Sequence, residues 1–161
     1  MATKVSKIEW CCLQKNGIKL IQPNPVLGRS YLECADYNLN ELKSPALKTQ
    51  NAAAYLACYN SFYSILQKIG IKCELRQCIF EFFSLIPGFT SQQINLANGL
   101  QKTKIEIEQH IKKPKKVNRE PIEDFVATCK QVFDSLSNNV IQKVRKEITK
   151  TTEKNKLKKK R

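Results

Sequence analysis

Apolar residues recur at helical spacing along most of the chain. In residues 26–43 they fall at Tyr31, Ala35, Leu39 and Leu42, with Leu32 beside them, and Ser44-Pro45 closes the run. Tyr55, Leu56, Tyr59, Phe62, Tyr63, Leu66 and Ile69 then follow at steps of three and four, with Gly70 where a C-terminal cap belongs. The small residues Asn51-Ala52-Ala53-Ala54 ahead of them permit close helix packing. A third helix is predicted over 74–86, with Cys78, Ile79, Phe82, Phe83 and Ile86 on one face and Pro87-Gly88 at its end. Thr90-Ser91-Gln92-Gln93 resembles a capping box, in which Thr90 accepts from the Gln93 amide while the Gln93 side chain reaches back. The helix it opens carries Leu96, Leu100, Ile107 and Ile111 and stops at a Lys-rich segment holding Pro114. Pro121 suits a first helical position, and Ile122, Phe125, Val126, Cys129, Val132, Phe133 and Leu136 make a further full stripe. Val140, Ile141, Val144 and Ile148 continue the spacing, and the residues beyond are too polar to bury.

Ahead of these helices, residues 8–22 hold Trp10 and Asn16-Gly17 between apolar runs. That is either a hairpin signal or a short helix capped by Gly17. The expectation is an all-α protein, an antiparallel bundle of about five helices. A short N-terminal extension (1–25) precedes the bundle (26–141), and a basic tail (142–161) follows it.

Charge changes this picture. The 161 residues include 28 Lys plus Arg against 14 Asp plus Glu, a formal net charge of +14. Residues 142–161 hold ten basic and two acidic residues, contributing +8, while the rest of the chain carries +6. A second cluster, Lys112, Lys113, Lys115, Lys116 and Arg119, surrounds Pro114. Such blocks suit phosphate backbones, because each phosphate neutralised releases condensed counterions, and they serve equally as solvated loops and tails. Lys158, Lys159, Lys160 and Arg161 are the densest run. No apolar stretch approaches the roughly 18 residues of a membrane-spanning helix, and no signal-like run follows Lys4 and Lys7. A soluble cytoplasmic protein without a membrane association is expected.

The seven cysteines are odd in number, and without a secretory signal they argue against a disulfide framework. A Cys73–Cys78 bridge stays open only for a hyperthermophile's cytoplasm. Zinc would want two spaced ligand pairs. Cys73 and Cys78 have no matching pair nearby, and Cys11 and Cys12 are adjacent, so no metal and no cofactor is expected.

Several segments together resemble the HEPN family of small helical nucleotide- and RNA-associated domains. Residues 53–66, Ala-Ala-Tyr-Leu-Ala-Cys-Tyr-Asn-Ser-Phe-Tyr-Ser-Ile-Leu, are similar to that family's second helix. Residues 68–74 resemble the turn that follows in archaeal members, and residues 10–15 and 21–24 their N-terminal extension. The segment Lys104-Ile105-Glu106-Ile107-Glu108-Gln109-His110 falls where the family places its functional motif. The resemblance covers about residues 9–137. It implies a homodimeric bundle, often partnered by a small nucleotidyltransferase in toxin–antitoxin pairs. Many members are metal-independent ribonucleases that use an Arg, four to six residues, then a His. The guanidinium clamps phosphate with fixed donors, and the imidazole moves protons at the ribose hydroxyl or the leaving oxygen.

This chain departs from that motif. His110 is the only His, and no Arg stands four to six residues before it; the nearest match is Lys104, five residues, His110. Lys is a point charge without the bidentate fork. A separation of six at about 100° per residue also leaves the two side chains about 120° apart around a helix. The ribonuclease site therefore reads as degraded, and three roles follow. In the first, Lys104 and His110 are catalytic in an endoribonuclease. In the second, the protein binds RNA or a nucleotide through Lys112, Lys113, Lys115, Lys116, Arg119, Lys158, Lys159, Lys160 and Arg161. In the third, it is a non-catalytic, antitoxin-type partner protein. Tyr55, Tyr59 and Tyr63 read as core and interface aromatics with hydroxyls at the rim, rather than as base-stacking residues.

Overall fold

In the computed structural model, which describes residues 6–161, the chain forms six α-helices, one 3-10 helix and a two-stranded sheet. The first helix, α1 (Lys7–Leu13), lies inside the expected extension and opens with a capping box between Ser6 and Glu9. Strand β1 (Lys19–Leu20) follows, then α2 (Pro25–Glu41) and α3 (Leu47–Ile69). Strand β2 (Ile71–Lys72) pairs antiparallel with β1, Lys19 opposite Lys72 and Leu20 opposite Ile71. The 3-10 helix Arg76–Ser84, α4 (Ser91–Glu108), α5 (Arg119–Ser135) and α6 (Asn138–Lys159) complete the chain.

The all-α class therefore holds, but the expected count of five helices does not. Two local causes raise it. Ser6 caps a genuine helix in the extension, but that helix ends at Leu13 with Gln14 and not Gly17 as its C-cap, and strand β1 finds its partner across the molecule instead of in a local hairpin. At the other end, Leu136 turns to extended backbone and Ser137 accepts from the Val140 N–H at 3.3 Å, which starts α6 afresh.

Helix α3 is the axis of the fold. It buries residues on every side, among them Tyr55, Phe62, Ile65, Leu66 and Ile69. Helix α2 lies antiparallel along it, since Gly28 sits against Ser64 while Asn38 accepts from Asn60 Nδ2 at 2.8 Å nearer the other end. Close approach requires the glycine: a Cβ on Gly28 would stand 2.8 Å from the Ser64 carbonyl oxygen and 2.7 Å from the Phe133 ring. Beneath α3 the rings of Phe62, Phe83, Phe89 and Phe125 pack edge-on or tilted, the closest pair, Phe62 and Phe83, having centroids 4.3 Å apart.

Residues 74–86 were expected as an ordinary amphipathic helix, and the structure winds Arg76–Ser84 as 3-10 instead. Cys78, Ile79, Phe80, Phe82 and Phe83 are all buried, more than one face of an α-helix can turn inward. The cysteine expectation is corrected here too. The disulfide joins Cys11 of α1 to Cys78, while Cys73 is a free, buried thiol. Cys34 of α2 is a free, exposed thiol. Pro121 stands two residues inside α5, still within the first turn where no intrahelical partner is lost.

The basic C-terminal stretch is not a polar appendage. The division at residue 141 falls inside α6, which runs on to Lys159 and buries Ile141, Val144, Ile148 and Asn155. Arg145 reaches back from α6, and its Nη1 donates to the carbonyls of Ile21, Ile69 and Gly70 at 2.9, 3.1 and 3.0 Å. It thereby satisfies the open end of α3 and ties in β1. Lys154 and Lys158 approach Glu9 of α1 at 3.7 and 3.6 Å. The Ser6 backbone N–H, with those two lysines, holds the Glu9 carboxyl below its ordinary value against the opposing pull of desolvation. No helix among the described residues is long and apolar enough to cross a membrane.

Candidate nucleic-acid interface

Helix α4 carries the motif-like segment, and its end decides what His110 does. The Ile111 N–H donates to the Glu106 carbonyl at 2.9 Å and the His110 N–H to the Ile107 carbonyl at 3.1 Å. His110 itself has φ 58°, the left-handed conformation. These are the bonds of a Schellman cap, with His110 in the position that glycine usually fills. The imidazole is thrown outward and exposed, and Gln109 already leaves the helix.

Lys104 points elsewhere. Its ammonium pairs with Glu108 at 3.0 Å and stands 5.0 Å from the centroid of the Tyr55 ring, with only 19% of the side chain exposed. Tyr55 is buried against α3's own ladder, in which Tyr59 stacks on Tyr63. Next to Lys104, Arg76 of the 3-10 helix lies over Tyr59 at 5.8 Å. Lys104 therefore faces a cavity shared with Arg76, and His110 does not line it. Glu106 is paired with Lys102 at 4.0 Å and Lys112 at 3.5 Å.

Beyond the cap, the Lys-rich segment folds back over the start of α3. Asn51 Nδ2 donates to the Lys115 carbonyl at 2.6 Å, and the Val117 N–H donates to Gln50 Oε1 at 3.4 Å. The loop is thus pinned through its backbone while its side chains stay exposed. Lys112, Lys113, Lys115 and Lys116 border an open cavity of about 290 Å³ whose floor includes Leu96, Leu100 and Ile122. Arg119, grouped with these lysines by sequence, is bound to Glu123 one turn along α5.

At the far end of α6, Lys158 is engaged with Glu9, whereas Lys159, Lys160 and Arg161 are exposed and make no ion pair among the described residues. Lys143 and Lys146, not singled out by the sequence, are also exposed on α6 and free of ion pairs among those residues. From Lys143 to Lys159 the helix spreads these charges over about 24 Å at ~1.5 Å per residue.

Desolvation pushes the Tyr59 phenol and the Cys58 and Cys129 thiols well up, so all three stay protonated at neutral pH. Among the described residues no three His, Cys, Asp or Glu side chains stand together as a metal-binding group.

Sequence reasoning placed Lys104 and His110 in one motif and missed Arg76. No spacing rule finds Arg76, because it comes from a different element and meets Lys104 only through the aromatic ladder. The chain matches no protein-family model, no curated protein and no solved structure.

Proposed function

We propose that this chain is a HEPN-like helical protein that binds RNA without cleaving it. The observation that carries the reading is the pinned loop at 112–116. Its four lysines are exposed on a backbone held by Gln50 and Asn51, so the charge is presented and not merely trailing in solvent. The unpaired cations of α6 extend the same kind of surface. Non-catalysis is supported by the fate of the two candidate residues. Lys104 faces a cavity that His110 does not line, while the backbone reversal at His110 turns its imidazole outward to solvent. A phosphate held by one is not delivered to the other. Homodimerisation and partnership with a small nucleotidyltransferase belong to this reading through the resemblance alone.

The test is binding of a single-stranded RNA across a salt series, in chelator. Each phosphate contact adds about 0.7 to the slope of log affinity against log salt for single strands. Replacing Lys112, Lys113, Lys115 and Lys116 by Gln should lower that slope by about 2–3 and leave thermal stability unchanged. Removing α6 is not a clean alternative, because Val144, Ile148 and Arg145 would go with it. Cleavage by the wild-type protein that vanishes in His110→Ala would overturn the reading in favour of an endoribonuclease.

A further inference from the structure

We infer that the cavity between α3, the 3-10 helix and α4 is a binding site for a terminal phosphate monoester. It has a volume of about 410 Å³ and shares no lining residue with the cavity under the lysine loop. Its walls bring together Tyr55, Arg76, Gln77, Gln101, Lys104 and Glu108.

Two cations from different elements meet at this cavity, Arg76 of the 3-10 helix and Lys104 of α4. Arg76 and Lys104 lie over adjacent rings of one ladder, Tyr59 and Tyr55, whose centroids are 5.8 Å apart. Ring faces attract both cations and pre-orient them side by side. The Gln101 side chain donates to the Arg76 carbonyl at 3.0 Å, which fastens the 3-10 helix to α4 at the rim. Arg76 makes no ion pair among the described residues, so its planar fork is available for two oxygens, with Lys104 adding a point charge.

The charge balance selects the ligand. Glu74 is paired with Lys72 at 3.4 Å and Glu108 with Lys104 at 3.0 Å, which leaves the Arg76 guanidinium as the uncompensated charge of the lining. A single carboxylate entering the cavity would meet Glu108 and gain little. A phosphate monoester carries close to two negative charges and three acceptor oxygens at neutral pH. It can take both the Arg76 fork and Lys104, displacing Glu108 outward to solvent, where 62% of its side chain already lies. The Tyr55 phenol is raised by burial and so remains a donor. The amides of Gln77 and Gln101 offer donors and acceptors to whatever polar body carries the phosphate. That body is a nucleoside or the 5′ end of an RNA strand; the recognised chemistry is the same terminal phosphate. This site goes beyond the RNA surface proposed above and does not depend on it.

The experiment is calorimetric titration of the full chain with a nucleoside 5′-monophosphate and with the matching nucleoside. In parallel, a short 5′-phosphorylated RNA is compared with its 5′-hydroxyl counterpart. The monophosphate should bind at least tenfold more tightly than the nucleoside. Arg76→Ala should weaken binding by about tenfold to a hundredfold, with Arg76→Lys intermediate. Glu108→Gln should tighten it several-fold, because the competing carboxylate is gone; a merely structural role for Glu108 predicts no gain. A preference confined to the free monophosphate assigns a nucleotide site, and one shared by the phosphorylated RNA assigns an RNA end. Equal binding of nucleoside and monophosphate overturns the proposal. So does the absence of saturable monophosphate binding at millimolar concentration, or binding indifferent to Arg76→Ala. The lysine-loop variant retains monophosphate binding in every case, so failure of this site and failure of the RNA surface are told apart.

Discussion

Helices α3 and α4 are of similar length and lie next to each other, yet they do opposite things. Helix α3 buries thirteen of its 23 residues, and α4 buries only Ala97 of its 18. The first buries residues on every side and serves as the wall against which α2, α5 and the 3-10 helix pack. The second lies over the bundle through Leu96, Leu100 and partly covered contacts and leaves Ile105 nearly half exposed. Their ends repeat the contrast. Each helix stops against a left-handed residue, Gly70 with φ 92° after α3 and His110 with φ 58° after α4. At the core end the sequence uses the residue that adopts this conformation freely; at the surface end it tolerates one that does not. The difference locates stability in α3 and leaves α4, with the loop it feeds, to carry exposed polar chemistry.

The sharpest way to break the comparison is to truncate one side chain from each helix. Phe62→Ala should cost about 3–5 kcal/mol in chemical denaturation, because it empties the centre of the phenylalanine cluster. Ile105→Ala should cost less than about 1 kcal/mol, since nearly half of that side chain is already in water. Comparable losses would mean that α4 is a core element after all.

Gly70→Ala comes next. The new Cβ would be 2.3 Å from Arg145 Nη1 and 2.5 Å from the Ile21 carbonyl oxygen, at a φ that L-residues avoid. A loss of about 2 kcal/mol or more is expected, read from the unfolding midpoint. The effect at the other cap has the opposite sign. His110→Gly should raise stability by about 1 kcal/mol, because glycine adopts the left-handed cap without the steric cost. The same variant should bind RNA as the wild type does in a gel shift at fixed salt. A loss of binding there would return His110 to the functional surface.

What the sequence made legible follows from how local each feature is. The stripe from Tyr55 to Ile69 with Gly70 after it, and the Thr90–Gln93 capping box, are fixed by residues within a turn or two of each other. Both are present, the box with bonds of 3.0 and 3.2 Å. Features that depend on distant partners were not legible. Nothing near Cys78 marks Cys11, 67 residues away, as its disulfide partner. Nothing in the polar residues after Ile148 reveals that Asn155 is buried and that Lys154 and Lys158 meet Glu9. The 3-10 winding was hidden because Phe80 reads as an off-face residue until its neighbours Tyr55 and Phe62 are placed in space. The site divides in the same way. The lysine loop stands out as a charge run, whereas the separation of Lys104 from His110 depends on a backbone reversal at residue 110 that no spacing rule contains.

The packing of α1 on α6 has a consequence for the order of events during synthesis. The two helices lie at opposite ends of the described chain, so their contacts close one of the longest loops the chain can form. Such contacts form late, since the entropy of loop closure must be met before they contribute. While the chain is emerging, α2 and α3 can pair through a five-residue connection, but α1 must wait until α6 has left the ribosome. Until then the carbonyls that Arg145 will engage at the end of α3 have no partner from α6, and Cys11 must still find Cys78 before the bridge can form. Helix α6 is the one that seals α1.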